Sequence, residues 1–547
     1  MFLRRIFVKG FKGINELNAD FSLSSALIGE NGWGKSSFLR LFRKVFSPNG
    51  KISFSKEDFN SSCACADKVS GSRGILIELL FCEQYFGEVT KSAALQKFSK
   101  YWQRGSDDLL CIHLRITSCL SREQIASSCG FVTGNDYDTS DNDLFYSFVH
   151  LVPVLVIKDN RMSELPSAEV QTQAGEKWRR DLIRLSERLL VEDEGRLSKK
   201  EADEAISAID YIMTSFFGEL KLSRRYKFRS YRDIASKPVS LGDFSSLRKY
   251  VNYASSKSWR IVLTIIAGMV LKTKSHINFS HEVYPILLIE DPESRLYPNF
   301  LILFMSIILK LPTQKIITTN SSDVLTCMNL SEIKRISHDG PGQKSSFINE
   351  INFSSDEIRR LSYHVRMTRP SSFFARVWLL VEGETEIWLI LKLSEILGFS
   401  LIGEGIRLID FAQCGITPLV KAADQLRLGW FVLADGDEAG RHYQSKVIDL
   451  IGDQGSADEH ITLLPSLAIQ HFLYENGFEQ VFRRESGIGT SQNYTENKII
   501  ELAIHHKSKP GLALSVVEFA ERNEGKTIPQ LFQNIFSRLV GMAKNRG

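Results

Sequence analysis

The chain has 547 residues, 43% of them apolar and 24% charged, with a net charge of +4. A working domain holds roughly 100–200 residues, so two to four domains with cores of their own are expected. That composition excludes a fibrous or low-complexity chain, and so small a charge neither requires nor excludes a nucleic-acid partner, which needs only a local basic groove. The eight cysteines include no CxxC pair and no histidine at ligand spacing. Zinc is therefore not expected, and free thiols in a reducing cytosol are. The opening MFLRRIFVKGFKG lacks a continuous apolar stretch and reads as a first strand, not a signal peptide. No run of about 18 apolar residues is present, so a cytoplasmic protein with no membrane partner is expected.

In chain order, FLRRIFVKGF and LNADFSLSSALIG read as strands. SSFLRLFRKVF follows with Phe38, Leu39, Leu41, Phe42 and Val45 at helical spacing. GILIELLF, LLCIHLRI and LVPVLVI are strand-like, and GNDYDTSDND at 134–143 reads as a loop. Residues 165–217 change character. Leu182, Leu185 and Leu189 share one helix face, and Ile206, Ile209, Met213 and Phe216 another, which predicts an inserted helical hairpin. LSRRYKFRSYR at 222–232 alternates Arg225, Lys227 and Arg229 with Tyr226 and Phe228. It is either a phosphate-contacting strand or a solvated edge. Buried strands follow at YPILLIEDPE and QKIITTNSS, and SHDGPGQKSS at 337–346 reads as a loop and candidate linker. After residue 370 strands alternate with helices through RVWLLVEG, IRLIDFA, WFVLADGD and HITLLP. That rhythm predicts a parallel sheet covered on both faces.

Two sets of residues carry chemistry. GENGWGKSS places Gly29, Asn31, Gly32, Gly34, Lys35, Ser36 and Ser37 between an apolar strand and a helix. Glycines let backbone N–H groups curl around phosphates, the lysine reaches the β and γ oxygens, and Ser36 ligates Mg²⁺. ATP is the expected ligand. ILLIEDPE ends a buried strand in acids, so Glu290 would hold Mg²⁺ and Asp291 would polarise the attacking water. In the second set, LLVEGETE puts Glu382 and Glu386, and VLADGDEAG puts Asp435 and Asp437, at the tips of parallel strands. Carboxylates converging in one crevice repel unless cations join them, and Mg²⁺ or Mn²⁺ suits an all-oxygen set. Two such ions would clamp both oxygens of a phosphodiester displacement.

GENGWGKSS, ILLIEDPESRLYP and IITTNSS together resemble the ABC-type ATPase of SMC, RecF and OLD proteins. EGETE followed by DGD, with Gly415 between, resembles the Toprim domain of topoisomerases, primases and OLD nucleases. The combination resembles the OLD family of ATP-dependent endonucleases over nearly the whole chain. It implies an α/β fold: an ABC-type ATPase at 1–164 and 236–345, an inserted helical dimerisation element at 165–235, a linker at 346–374, and a Toprim domain at 375–547. It further implies ATP sandwiched between two copies, hence a homodimer or higher oligomer, and DNA as substrate. Bacterial anti-phage defence follows by analogy, with a second defence protein or a retron reverse transcriptase and its nucleic acid as further partners. Lys509, or else Lys507, in HKSKPGLA matches the lysine that stabilises charge at the scissile phosphate. Four positions depart from the family: ASSKSWR at 254–260 is a degenerate signature, Asn320 stands at the switch histidine, Glu290-Asp291 inverts the usual acidic order, and Gln470 replaces a second-metal glutamate, with Glu475 as a candidate substitute. A non-catalytic DNA-binding scaffold and an RNA-processing Toprim nuclease are the competing readings. A topoisomerase is disfavoured, since no domain presents a nucleophilic tyrosine.

Overall fold

The computed structural model describes residues 1–30, 32–46, 52–63, 72–105, 107–134, 136–157, 284–294, 296–309, 313–339, 342–452, 456–488 and 494–546. The helical hairpin, the 222–232 strand, the 254–260 segment and Asn31 lie outside them. The chain divides into two compact units, Met1–Ser346 and Phe347–Gly547.

Among the described residues, unit one is built on a sheet of thirteen strands. In chain order they are β1 (Phe2–Phe11), β2 (Ile14–Asp20), β3 (Ser24–Ile28), β4 (Arg73–Cys82), β5 (Gln103–Arg104), β6 (Leu110–Ser121) and β7 (Gln124–Thr133). Then come β8 (Asp136–Asp138), β9 (Val154–Ile157), β10 (Ile286–Glu290), β11 (Gln314–Thr318), β12 (Ile333–Asp339) and β13 (Gly342–Ser346). The spatial order is β8-β7-β6-β4-β1-β2-β13-β12-β3-β11-β10-β9, with β5 beside β6. The β12-β3-β11-β10-β9 half is parallel, every residue of β3 and β11 is buried, and β10 is a buried apolar strand up to Glu290. Such strands need both faces covered. The β8-β7-β6-β4-β1-β2 wing is antiparallel, and its buried residues alternate with half-buried ones, as on β4.

Helix α1 (Lys35–Val45) turns the five apolar residues named above inward. Its Phe38 and Phe42 join rings that run through Phe46 and Phe81 to Phe148. Phe148 lies on α2 (Asn142–His150).

Unit two carries a four-stranded parallel sheet in the order β15-β14-β16-β17. These are β14 (Val377–Val381), β15 (Ile406–Asp410), β16 (Gly429–Ala434) and β17 (Ile461–Leu463). Every residue of β14 and β16 is buried. Helices α6 (Glu384–Ile396), α7 (Ile416–Gln425) and α8 (Glu438–Ile451) connect them, after α3 (Pro298–Ile308), α4 (Ser322–Thr326) and α5 (Ser355–Leu361) upstream. Then follow α9 (Ile469–Leu473), α10 (Glu479–Ser486), α11 (Glu496–Arg522) and α12 (Gln530–Lys544).

Four expectations are corrected. Residues 134–143 are not all loop: β8 pairs with β7, and Asp141 caps α2 by accepting the Leu144 N–H. Residues 337–339 and 342–346 are not loop but lie in the antiparallel strands β12 and β13, in which Ser337 pairs with Lys344. Residues 347–374 are part of unit two: Ser354 caps α5 in a reciprocal pair with Glu357, and Phe353, Leu361, Val365 and Phe373 are buried. Cys82 and Cys111 stand opposite each other on β4 and β6 and are disulfide-bonded, whereas Cys63, Cys129 and Cys414 are free thiols.

Phe148 is fully buried and meets Phe98 at 5.1 Å and Phe81 at 5.4 Å. Phe148→Ala is expected to destabilise unit one by about 3–5 kcal/mol, read by urea unfolding.

Candidate functional sites

The first site lies where β3, β10 and β11 end together. Ile317 pairs with Ala26 across β11 and β3, and Glu290 with Thr318 across β10 and β11, so their C-terminal tips are level. The loop from Gly29 to Ser36 leaves β3 there. Gly32 and Gly34 have φ of 92° and 89°, which favours glycine. A Cβ on Gly34 would also lie 3.1 Å from Ile14 Cγ1. Trp33 is buried under the Arg335 guanidinium, 5.7 Å from the ring centroid, and anchors the loop.

Lys35 Nζ donates to the Gly29 carbonyl and, at 2.7 Å, to Asn320 Oδ1. Burial lowers its pKa, and the charges of Asp291 and Glu293 pull it back up. Asp291 has φ of 44°, and its carboxyl is raised by burial, then by Glu293 and Glu290, against the lowering pull of Lys35. Glu290 lies 3.8 Å from Arg43. Ser36 is exposed and Ser37 half-buried at the start of α1.

Glu293 was not singled out from the sequence. It accepts the Thr319 hydroxyl at 2.9 Å and the Asn320 N–H at 2.7 Å, tying the turn after β10 to the turn after β11. The signal for it was its place two residues beyond an acidic strand tip. A half-buried lysine in the first turn of a helix, directly after a glycine-bearing loop, fits a polyphosphate, and the acids beside it fit its divalent cation.

The second site lies at the tips of β14 and β16. Parallel pairing sets Leu379 beside Phe431, which brings Glu382 and Asp435 to the same end. The Asp435 N–H donates to Glu382 Oε1 at 3.5 Å, and Asp435 Oδ1 accepts the Ile469 N–H at 2.9 Å. Asp437 caps α8 by accepting the Gly440 N–H at 2.8 Å. Glycine is required at 436 and 440. A Cβ would lie 2.4 Å from the Leu464 carbonyl in the first case and 1.8 Å from the Asp435 carbonyl in the second. The Glu386 carboxylate folds back over Gly383, where a Cβ would come within 2.8 Å of Oε2.

These carboxylates feel one another. Burial, then Glu382 and Glu386, push Asp435 up to about 7, against the lowering effect of the Ile469 N–H. Glu382 is raised by burial, with Asp437 and Glu386 adding to the rise and the Asp435 N–H and Lys509 opposing it. No three His, Cys, Asp or Glu side chains among the described residues form a ready-made metal cage. The donor set nonetheless fits a hard divalent cation. It is all oxygen, half-buried, and holds its charges at a cost that a cation removes.

The two tail lysines separate. Lys507 is paired with Glu485 at 3.3 Å, while Lys509 acts on Glu382. Between them Ser508, at φ 65° and ψ 161°, breaks α11. Gln470 is buried on α9. Glu475 accepts the Ser466 hydroxyl, and Ser466 in turn accepts the Gly436 N–H at 3.1 Å. Arg369, which the sequence reading passed over, pairs with Asp410 at the tip of β15 and lies 3.7 Å from Glu384. It lies in the segment expected to be a linker, where no pattern marks it.

Fold and site together define a P-loop ATPase-like unit followed by an OLD-like Toprim domain. Residues 373–437 match the family described as overcoming lysogenization defect protein-like, TOPRIM domain. Residues 1–372 match the family described as protein of unknown function (DUF2813), and the chain belongs to that family. It is 32% identical over 554 residues to the uncharacterized protein YbjD of Escherichia coli (strain K12), covering 100% of both chains. Among solved structures it is similar to the C-terminal region of the Burkholderia pseudomallei OLD protein (19% identity, 31% of this chain, 99% of that one, TM-score 0.27). It is also similar to the SMC head domain from Thermotoga maritima (13% identity, 64% of this chain, 100% of that one, TM-score 0.29). No helix among the described residues is long and apolar enough to cross a membrane.

The ordinary carboxyl value for Asp435 is 3.8. Between about pH 4 and 7 the unfolded chain has released this proton and the folded protein keeps it. The stability this group contributes is therefore complete below pH 4 and lost as pH rises through about 7. Asp435→Asn is expected to raise the metal-free Tm at pH 8 by about 2–4 °C, measured by calorimetry in EDTA. Mn²⁺ affinity of the wild type should rise as pH increases through 7, because the ion and the proton compete.

Proposed function

We propose that this protein is an ATP-regulated, divalent-metal-dependent DNA endonuclease of the OLD type, acting as a homodimer or higher oligomer in bacterial anti-phage defence. The observation that supports it best is the meeting of Glu382 and Asp435 beyond the paired tips of β14 and β16, the Asp435 N–H donating to Glu382 Oε1 at 3.5 Å, where burial first, then Glu382 and Glu386, raise Asp435 to about 7. A solvated acidic turn has no such coupling. Glu382, Glu386, Asp435 and Asp437 would hold Mg²⁺ or Mn²⁺, which when bound supplies Lewis-acid activation of water and of the phosphoryl oxygens. Lys509 would face the charge that develops on the phosphate, and the Ile469 N–H holds Asp435 in orientation. In unit one Lys35 and the glycine loop would take the triphosphate of ATP, Ser36 and Glu290 its Mg²⁺, and Asp291 the attacking water. Asn320 in place of a histidine favours slow hydrolysis and ATP as a switch.

Incubating the purified protein with supercoiled plasmid, Mn²⁺ and ATP tests this reading. Cleavage is expected, and Glu382→Ala should lower it by roughly 10³-fold or more. Lys35→Ala should weaken ATP binding at least about tenfold, equivalent to 1.4 kcal/mol, by titration calorimetry. Equal cleavage by Glu382→Ala would sink the assignment.

Gln470 favours a second reading, a catalytically weak ATP-dependent DNA-binding or scaffold subunit of a defence complex. That reading expects ATP-dependent assembly on DNA, no scission, and no tight Mn²⁺ site by calorimetry.

A further inference from the structure

Tyr443 lies on α8, the helix that begins at the Asp437 cap. Gly440, Tyr443 and Val447 follow one another at i, i+3 and i+7 and share a face. Gly440 and Val447 are buried against the sheet, and Tyr443 between them is half-exposed. Its ring stands edge-on to Phe411, with centroids 4.8 Å apart at 70°. Phe411 is itself fixed to the turn that carries Glu382. The Phe411 N–H donates to the Val381 carbonyl at 2.9 Å, and the next N–H, of Ala412, donates to the Glu382 carbonyl at 3.2 Å. Phe411 is fully buried, so the shelf under the tyrosine does not give.

The hydroxyl has no hydrogen-bond partner among the described residues. It lies within the field of two of the crevice carboxylates. Burial first, then the charges of Glu382 and Asp437, hold the phenol above its usual 10. Near neutral pH the group is therefore an O–H donor and not a phenolate. An attacking role is disfavoured for the same reason, since two adjacent negative charges oppose formation of the nucleophile.

A crevice of acids presents an approaching phosphodiester with acceptors, which repel it. Non-bridging phosphate oxygens can be received only by cations and by proton donors. Lys509 is one such group. The unpartnered hydroxyl of Tyr443 is a second, carried on α8 where Lys509 is carried on α11.

We propose that Tyr443 is a substrate-contacting residue of this crevice, its hydroxyl donating a hydrogen bond to a non-bridging oxygen of the phosphodiester undergoing cleavage. The proposal rests on the nuclease reading and adds to it how the anionic backbone is received. Tyr443→Phe removes the hydroxyl and keeps the ring on Phe411. Plasmid cleavage under single-turnover conditions with saturating Mn²⁺ should slow by about 10–100-fold, the scale of a hydrogen bond to a charged group. The Tm and the Mn²⁺ affinity of the variant, measured by calorimetry without DNA, should equal those of the wild type. A wild type that cleaves alongside a variant that cleaves equally fast overturns the role of Tyr443 and leaves the nuclease reading standing. A slower variant with weaker Mn²⁺ binding or a lowered Tm also overturns it, because the residue then acts through the metal site or the fold. A wild type that cleaves no DNA under any metal condition overturns both.

Discussion

Parallel pairing of β14 with β16 sets two carboxyl-bearing turns side by side, and the second unit is organised around the repulsion that results. The strands themselves are wholly buried, so charge can appear only beyond their ends. Once there, Glu382 and Asp435 meet in a half-buried crevice, where burial raises both, the Glu382 and Glu386 charges raise Asp435 further, and those of Asp437 and Glu386 raise Glu382. The surrounding chain meets this with backbone donors. The Ile469 N–H reaches Asp435, the Asp435 N–H reaches Glu382, and the Gly440 N–H reaches Asp437. The glycines at 436 and 440 serve the same constraint, because side chains there would collide with backbone carbonyls and push the turns apart.

Unit one meets a similar problem with a different solution. Glu290 and Asp291 also end a buried strand, and Asp291 is raised by burial and then by its acidic neighbours Glu293 and Glu290. Here the fold supplies its own counter-charges. Arg43 stands near Glu290, and Lys35 lies within reach of Asp291 and Glu293. Lys35 is meanwhile held by Asn320, whose backbone is held by Glu293. A phosphate that draws Lys35 away from Asn320 thus disturbs a network reaching the turn after β10. Under the proposed reading, that is a physical route by which nucleotide occupancy would alter this site without large motion.

Both sites were legible in the sequence because each needs a rare coincidence: acids or glycines directly beyond an unbroken apolar strand. The strand fixes direction and the acid fixes the end, so Glu290, Glu382 and Asp435 could be placed without coordinates. What escaped was set by partners distant in the chain. The β12–β13 pair is written in Ser, His, Gln and Lys, and Gln343 and Ser346 are buried only because β2 and β12 flank that strand. The 350–374 segment carries no long apolar run, since single residues such as Phe353 and Phe373 anchor it. The Cys82–Cys111 pair depends on antiparallel register across 29 residues, which spacing alone does not reveal. Glu293 and Arg369 belong to the same class, for each matters through what it bridges.

The two sites differ most in how far their charge is balanced. Around the Toprim crevice Lys507 is taken by Glu485 and Arg369 by Asp410 and Glu384, which leaves Lys509 as the cation acting on Glu382. Four ionised carboxylates against one ammonium leave three negative charges, so a single divalent ion would still leave one. Under the proposed reading that residue is removed either by a second cation or by a proton. Asp435, held at about 7, is where the proton would sit. A glutamate at position 470 would add a further charge and favour the second cation, whereas the neutral Gln470 lowers that demand. Protonation of Asp435 and binding of a second ion are thus alternatives at this site, and the balance between them shifts toward the ion as pH rises.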